Sequence, residues 1–411
     1  MKEIIEKTVA ELNLDKSDWL LVKFGDIAIQ QKQTVDRDNT ELTRYVKGEH
    51  MYSEDIHLQE WGELTDEYLG PAFIRKFEEG DILYGSRRTY LRKVVLAPFD
   101  GITSNTTFVI KANEEKVDKR LLPFIMLSEG FAQHSIKNSK GSVNPYVNWK
   151  DLAGYEFLLP SIDEQRKLLD VFEYADQLIL KDIYLKERIE TLRNTNREKL
   201  YTYGIKGLHD SNEISLILSK CGLIRSDITL SRFFDCVEIA SGQVDPSSEE
   251  YRDLYQIGSE RIEANTGRIV ELKSAKELGI NSGNYLFTEN DVIYSKIRPY
   301  FKKVANPNFT GLCSADIYPL RPKSDKLLKD FLFYYLLTEK FTRRLLRFQN
   351  RTGMPKVNRE ELGSMYIPLP SKEEQQEIVD ILNKIDDLYF NSEKKLDSSK
   401  ELLHSIINQV F

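Results

Sequence analysis

Cysteine is scarce in this chain: three in 411 residues, at 221, 236 and 313, with no CxxC pair. An odd number at wide spacing excludes a disulfide framework and a thiolate zinc site. Histidine is nearly as rare, and the five, at 50, 57, 134, 209 and 404, form no HExxH helix. No run approaches the roughly 18 consecutive apolar residues of a membrane span. The opening segment, Met1 to Lys16, carries acids where a signal peptide would need an apolar core. Gly-Lys never occurs, which removes a Walker A loop, and neither a G-x-G-x-x-G after a strand nor a G-x-S-x-G elbow is present.

What the chain does have is core and charge. Hydrophobic residues make up 41%, with 21 Tyr and 20 Phe, enough for two or three folded domains. Charged residues make up 30%, split into 58 basic and 65 acidic for a net charge of −7. That excludes a uniformly basic coat protein, though not a local basic surface.

The chain also repeats itself. Asp81 and Tyr84 recur as Asp291 and Tyr294, an offset of 210. At the same offset Arg88 meets Arg298, Tyr90 meets Tyr300, and Lys93-Val94 meets Lys303-Val304. Nine of the thirty positions from 81 to 110 match without a gap, against about two expected from average composition. The register persists through Pro145/Pro355, Asn148/Asn358, Leu159-Pro160-Ser161/Leu369-Pro370-Ser371 and Glu164-Gln165/Glu374-Gln375. The chain is a tandem duplication.

Each copy opens with short β-like runs between turn signals, then a helical stretch (Leu121 to Ile136, Phe331 to Phe348), then a strand ending at Leu-Pro. After each Pro-Ser the period becomes helical. Ser161-Ile162-Asp163-Glu164 and Ser371-Lys372-Glu373-Glu374 both read as S-x-x-E capping boxes. Apolar residues then step by three and four: Leu168, Val171, Ala175, Leu178, Leu185, Ile189 and Leu192, with Asp182 interrupting. The second copy has Ile378, Ile381, Ile385 and Leu388, slips by one near Ser392, and resumes at Leu396, Leu403, Ile406 and Val410. A Pro-free helix of about 40 residues spans about 60 Å, and so narrow a stripe wants a partner helix. The pattern predicts an α+β chain: two similar globular α/β domains in tandem, each followed by a long helix. The two helices are expected to pair as a coiled coil, and an antiparallel pair would relate the domains by a pseudo-twofold axis.

No catalytic constellation emerges. Asn144-Pro145-Tyr146 and Asn306-Pro307-Asn308-Phe309 approach the Asn-Pro-Pro-aromatic loop of amino-methyltransferases, but both lack the second proline and occupy non-equivalent places. Glu114-Glu115-Lys116 and Glu271-Leu272-Lys273 have no upstream Asp of a nuclease motif. Basic charge, however, is segregated. Lys340 to Arg359 holds seven basic residues and no acid, and Gly130 to Trp149 holds Lys137 and Lys140 and no acid. Arg87, Arg88, Arg92 and Lys93 stand unopposed by acid in sequence, as do Lys296, Arg298, Lys302 and Lys303. Acid-free patches with interleaved Tyr90, Tyr146 and Tyr300, recurring in both copies, favour nucleic acid. A scaffold binding an acidic protein partner is the alternative.

A unit ending in Leu-Pro-x-x-x-Glu-Gln before a long helix, present twice, resembles the DNA-specificity subunit of type I restriction-modification systems. Leu159 to Gln165 and Leu369 to Gln375 carry the likeness, with the loops Gly141 to Asn148 and Arg351 to Asn358 and the opening Val22 to Ile27. The resemblance implies two target-recognition domains reading a bipartite double-stranded DNA target, with the antiparallel helices as a ruler between them. It implies a non-catalytic, cytoplasmic subunit that holds two methyltransferase subunits and restriction/translocase subunits. S-adenosylmethionine, ATP and Mg would then belong to those partners, with no cofactor or metal in this chain. The expected segments are 1–14 (helical, near the C-terminal helix), 15–160 and 227–370 (recognition domains), 161–203 and 371–411 (long helices), and 204–226 (linker). DNA contacts are expected from Arg87, Arg88, Tyr90, Arg92, Lys93, Lys140, Ser142, Asn144 and Tyr146. Their counterparts in the second copy are Lys296, Arg298, Tyr300, Lys302, Lys303, Arg351, Thr352, Met354 and Lys356. Gly141 against Arg351, and Val143 against Gly353, imply that the copies read different half-sites.

Overall fold

The computed structural model describes residues 15–37, 39–65, 68–209, 214–240, 242–347 and 355–411. The segment 1–14 therefore lies outside the described residues, as do Arg351, Thr352 and Met354. The chain divides into two compact units, one reaching to Tyr184 and taking in Lys394–Phe411, the other Leu185–Glu393. Both long helices contribute to both units.

In the first unit, one antiparallel sheet runs in the order Ala28–Gln31, Thr107–Ala112, Ile82–Gly85, Val94–Leu96. A second runs Gly62–Glu63, Arg44–Val46, Gly101–Ser104, Phe73–Phe77, with Arg44–Val46 parallel to Gly101–Ser104. The second unit has the same first sheet in Val237–Ile239, Ile317–Pro322, Val292–Ser295 and Val304–Ala305. Its other sheet keeps the parallel pair, Gln256–Ile257 with Gly311–Ser314, but places the extra strand Gln243–Val244 on the opposite edge. The copies thus diverge most at the edge of this sheet.

Each helical stretch before the final strand is two helices, where one was expected. Leu122–Leu127 and Glu129–Lys137 meet at Ser128; Lys329–Leu336 and Glu339–Leu346 meet at Thr338. The buried hydroxyls explain the breaks. Ser128 Oγ donates to the Ile125 carbonyl (2.8 Å) and accepts from Phe131 N (3.3 Å), and Thr338 Oγ1 does the same with Tyr335 (2.7 Å) and Phe341 (3.2 Å). Each thereby ends one helix and caps the next.

The long helices are Ile162–Tyr203 and Lys372–Val410. Their Glu-Gln starts are structural. Gln165, buried, accepts from Asp118 N (2.8 Å) and donates to the carbonyls of Pro160 (3.0 Å) and Lys116 (3.2 Å). Gln375 repeats this with Leu328 N (3.0 Å), Pro370 (3.0 Å) and Lys326 (2.7 Å). The capping box is reciprocal only in the first copy, where Ser161 N donates to Glu164 (3.1 Å). In the second, Glu374 N still donates to Ser371 Oγ (3.2 Å), but the Glu374 carboxylate turns to Arg225 (2.6 and 2.7 Å) and Ile205 N (3.1 Å).

The helices run antiparallel within each unit. In the first, Asp182 accepts from Lys395 (2.6 Å) and Ser399 (2.7 Å), and the Phe172 and Phe411 rings lie 6.4 Å apart. In the second, Lys186 pairs with Glu393 (3.1 Å) and Arg193 with Asp386. The seam differs from the one expected. Leu185, Leu192 and Leu388 are about half exposed, at 43%, 47% and 53%. The stripe keeps the expected Leu168, Ala175 and half-buried Ile189 but otherwise runs through Phe172, Ile179, Asp182, half-buried Lys186, Arg193 and Arg197. On the second helix it runs Ile378, Leu382, Ile385, Tyr389, Ser392, Leu396, Ser399 and Leu403, with no slip at Ser392. Polar residues occupying seam positions misled the apolar count.

The segment expected as a plain linker is also built. It forms a short helix, Lys206–His209, and a hairpin, Leu216–Ser219 with Gly222–Arg225, whose Cys221 and Ile224 pack with Ile228. Lys340 and Arg344 donate to its Leu223 (3.0 Å) and Ser219 (3.2 Å) carbonyls, so part of the 340–359 basic run is used internally. At the other end of the chain Lys16 donates to the Val410 carbonyl (2.7 Å), a cation at a helix C-terminus.

Two outcomes are expected. Gln375→Ala should destabilise the chain by about 3 kcal/mol, because buried carbonyls and an N–H lose their partner; denaturant unfolding measures it. His57 lies between Asp55 (2.9 Å) and Asp176 (3.2 Å). Burial disfavours the imidazolium, but these hydrogen bonds and charges outweigh it and raise His57 to about 9. Its contribution, on the order of 3 kcal/mol, is complete below about pH 6.5 and fades as pH rises through 9. The stability gap between wild type and His57→Gln should therefore narrow from pH 6.5 to 9.5 in chemical-denaturation titrations.

Candidate nucleic-acid interface

In each copy the strand ending at Gly85 or Ser295 runs into the same turn. A single 3-10 turn, Thr89–Leu91 or Pro299–Phe301, is bracketed by residues in the left-handed region. These are Arg88 (φ 49°) and Arg92 (φ 48°) in the first copy, Arg298 (φ 47°) and Lys302 (φ 49°) in the second. Side chains larger than glycine are uncommon there, and four at equivalent places mark a loop whose shape was kept through duplication.

A second loop is tied to this one. Lys140 and Tyr146 exchange backbone hydrogen bonds (2.8 and 2.9 Å), closing the loop through Gly141. Arg88 N then donates to the Pro145 carbonyl (2.6 Å) and Val147 N to Ser86 (3.0 Å). The second copy repeats both contacts, Arg298 N to Pro355 (2.8 Å) and Val357 N to Lys296 (2.8 Å). The structure thus brings together the two segments the sequence separates by about fifty positions. Arg87, Arg88, Tyr90, Ser142, Asn144 and Tyr146 are exposed on one loop pair, Arg298, Tyr300 and Lys356 on the other.

The cations divide into two kinds. Arg92 is held by Glu129 through both oxygens (2.6 and 2.9 Å) and by Glu54 (2.9 Å). Lys302 repeats this with Glu339 (2.7 Å). Lys93 donates to the Gly48 carbonyl, Lys303 to Ser259 (2.7 Å), and Lys296 to Ala315 while lying 4.8 Å from the centre of the Tyr318 ring. These groups shape the loop. Lys140 and Lys356 make exposed pairs with Asp151 (3.1 Å) and Asp316 (3.0 Å), which add little stability and exchange readily. The guanidinium groups of Arg87, Arg88 and Arg298 have no partner among the described residues. Burial, followed by the Arg88 charge, holds Lys93 below the usual lysine range; burial, followed by Lys356, does so for Lys296. Like charges thus crowd at each loop pair, with Asp151 and Asp316 answering only Lys140 and Lys356 at its margin.

Some features of this surface were missed in the sequence. Phe301 is 42% exposed with its ring 4.6 Å from Tyr300, and Val143 at the loop tip is 93% exposed. Left-handed arginines carry no composition signal that could have announced them. Among the described residues no cluster of His, Cys, Asp and Glu could hold a metal, and no helix is long and apolar enough to cross a membrane. Asn306, in one of the methyltransferase-like tripeptides, donates to Asp330 (2.6 Å) inside its domain.

Duplicated domains, paired helices and twin basic loops together define a DNA-specificity architecture. Residues 16–191 and 227–399 match the type I restriction modification DNA specificity domain, and the chain belongs to that family. Membership implies recognition of a DNA target. The EcoDI specificity subunit of a type I restriction enzyme from Escherichia coli is 30% identical over 273 residues, 62% of this chain and 60% of that subunit. The match thus spans about three fifths of that relative's length. The MjaVIII specificity subunit from Methanocaldococcus jannaschii is 24% identical over 95% of this chain and 91% of its own length. A chain from a structure described for complex assembly and conformational transition of the type I R-M system aligns with a TM-score of 0.56. It is 19% identical over 95% of this chain and 97% of its own, a likeness of fold.

Arg88→Ala and Arg298→Ala should each weaken DNA binding by the assembled complex and lower its log–log salt slope by about 1. Titration at several salt concentrations checks this; unchanged affinity and slope would remove that arginine from the interface.

Proposed function

We propose that this chain is the specificity subunit of a type I restriction-modification complex, and that its two domains each read one half of a bipartite duplex target. The observation that carries the reading is the duplicated loop pair. The same strained turn, with an unpaired exposed arginine and an exposed tyrosine, stands at the same place in both copies. Retained residues (Arg88 and Arg298, Tyr90 and Tyr300) suit what two half-sites share, the phosphate backbone. Divergent ones (Arg87 against Ile297, Asn144 against Met354) suit what they do not share, the base edges.

In this reading the chain carries no chemistry of its own and works in the cytoplasm. It positions two methyltransferase subunits, which bring S-adenosylmethionine, and restriction/translocase subunits, which bring ATP and Mg. The antiparallel pairing of the long helices supports a ruler for the spacer between half-sites.

Mapping methylated adenines across a genome, with and without this chain, should reveal a two-part motif that disappears with it. Removing one heptad from each long helix at matched positions, about 10 Å of helix, should shorten the preferred spacer by about three base pairs at 3.4 Å each. An unchanged methylated motif would defeat the ruler.

A further inference from the structure

Both domains rest on the long helices through a buried polar contact, and the two contacts are built with opposite chemistry. In the first unit the loop after Ser53 supplies Asp55 and His57. His57 Nδ1 faces Asp55 (2.9 Å) and Nε2 faces Asp176 of the first long helix (3.2 Å), while Lys400 of the second donates to Asp55 (3.1 Å). With a carboxylate at each ring nitrogen, both must donate, so the ring is an imidazolium. In the second unit the helix supplies the cation. Arg193, buried and paired with Asp386, donates to the carbonyls of Asn265 (2.9 Å) and Thr266 (3.0 Å), and Arg197 donates to Asn265 Oδ1 (2.8 Å).

The two loops are equivalent. Glu54 and Asn265 are both left-handed (φ 56° and 60°), and their amides donate to the carbonyls of the equivalent residues Arg92 (3.1 Å) and Lys302 (3.2 Å). Asp176 and Asp386 are equivalent at the repeat offset. The same offset sets Arg193 and Arg197 against Leu403 and Ile407, both buried and apolar. One inherited carboxylate has therefore acquired its cation from the domain in one copy and from the helix in the other.

We propose that His57 is a positioning residue that pins the first recognition domain to its helix seat, keyed to that seat and not to the second, and so sets where its half-site is read. A loop built like 265–266 would bring carbonyls against Leu403 and Ile407, neither of which can donate to them as Arg193 and Arg197 do. Removing one partner leaves the other charge buried and unanswered, so the contact holds the loop to one seat. The consequence for DNA rests on the two-half-site reading above.

The test uses the full chain assembled with its methyltransferase subunits, and duplexes carrying the motif mapped for the wild type with the spacer varied by one base pair. His57→Gln should raise amide exchange in residues 53–58 at least tenfold and leave 263–269 unchanged. It should relax discrimination against the wrong spacer at least tenfold while both half-sites keep their base preference. His57→Gln with Leu403→Arg, which returns a cation from the helix as in the second unit, should restore both readouts. If His57→Gln does not fold, Lys400→Met, which removes only the second helix's hold, is scored the same way. Unaltered spacer discrimination in a folded variant, or equal loosening of both loops, would overturn the pin. A wild-type complex that methylates no two-part motif would sink the DNA reading instead, leaving amide exchange and its rescue to judge the docking.

Discussion

Neither globular domain closes its core without both long helices, and the rest of the structure depends on that sharing. In the first unit, Leu168, Leu169, Phe172, Ala175 and Ile179 of one helix and Leu396, Leu403, Ile406 and Ile407 of the other join the domain's Phe24, Phe124 and Phe131 in one cluster. In the second, Leu200 and Tyr201 combine with Ile378, Val379 and Leu382 against Phe331, Tyr334 and Tyr335. Each such side chain contributes about 1.5–3 kcal/mol by leaving water. Detaching a helix would expose a domain's core, which is why the buried glutamines at the helix starts matter: they fix the entry of the helix to the backbone it must cover.

A seam so rich in charge is unusual for helices that must also hold domains together. Asp182, Arg193 and Arg197 occupy buried positions where leucines would add stability. Burying them demands that every partner be in place, and the partners are drawn from the opposite helix and from the domain loops. A shift of one turn would strand Asp182 away from Lys395 and Ser399. Polar seam residues therefore select one register, as they do in coiled coils generally.

Much of this was readable in the residues. The 210-residue offset, the Leu-Pro-Ser starts and the length of both helices needed only identity and periodicity. The two loops stood out in the sequence as acid-free basic segments, but their joining by the Arg88 and Arg298 amides was not visible, since backbone hydrogen bonds leave no trace in composition. Counting apolar residues chose Leu185 and Leu192 over Arg193 because hydrophobicity is a poor guide where a buried cation has three acceptors waiting. The breaks at Ser128 and Thr338 were hidden by helix-forming neighbours on both sides. Glu374 fitted a capping box, yet Arg225, distant in sequence, offers its carboxylate a stronger partner than an amide does.

The left-handed positions at 88, 92, 298 and 302 have a further meaning. Glycine would adopt that backbone without strain, whereas an arginine or lysine gives up on the order of 1 kcal/mol to sit there. Four long cationic side chains endure it, in two copies that otherwise differ at most positions. The bent backbone aims these side chains in two directions: Arg92 and Lys302 turn inward to Glu129 and Glu339, while Arg88 and Arg298 stand exposed beside the second loop.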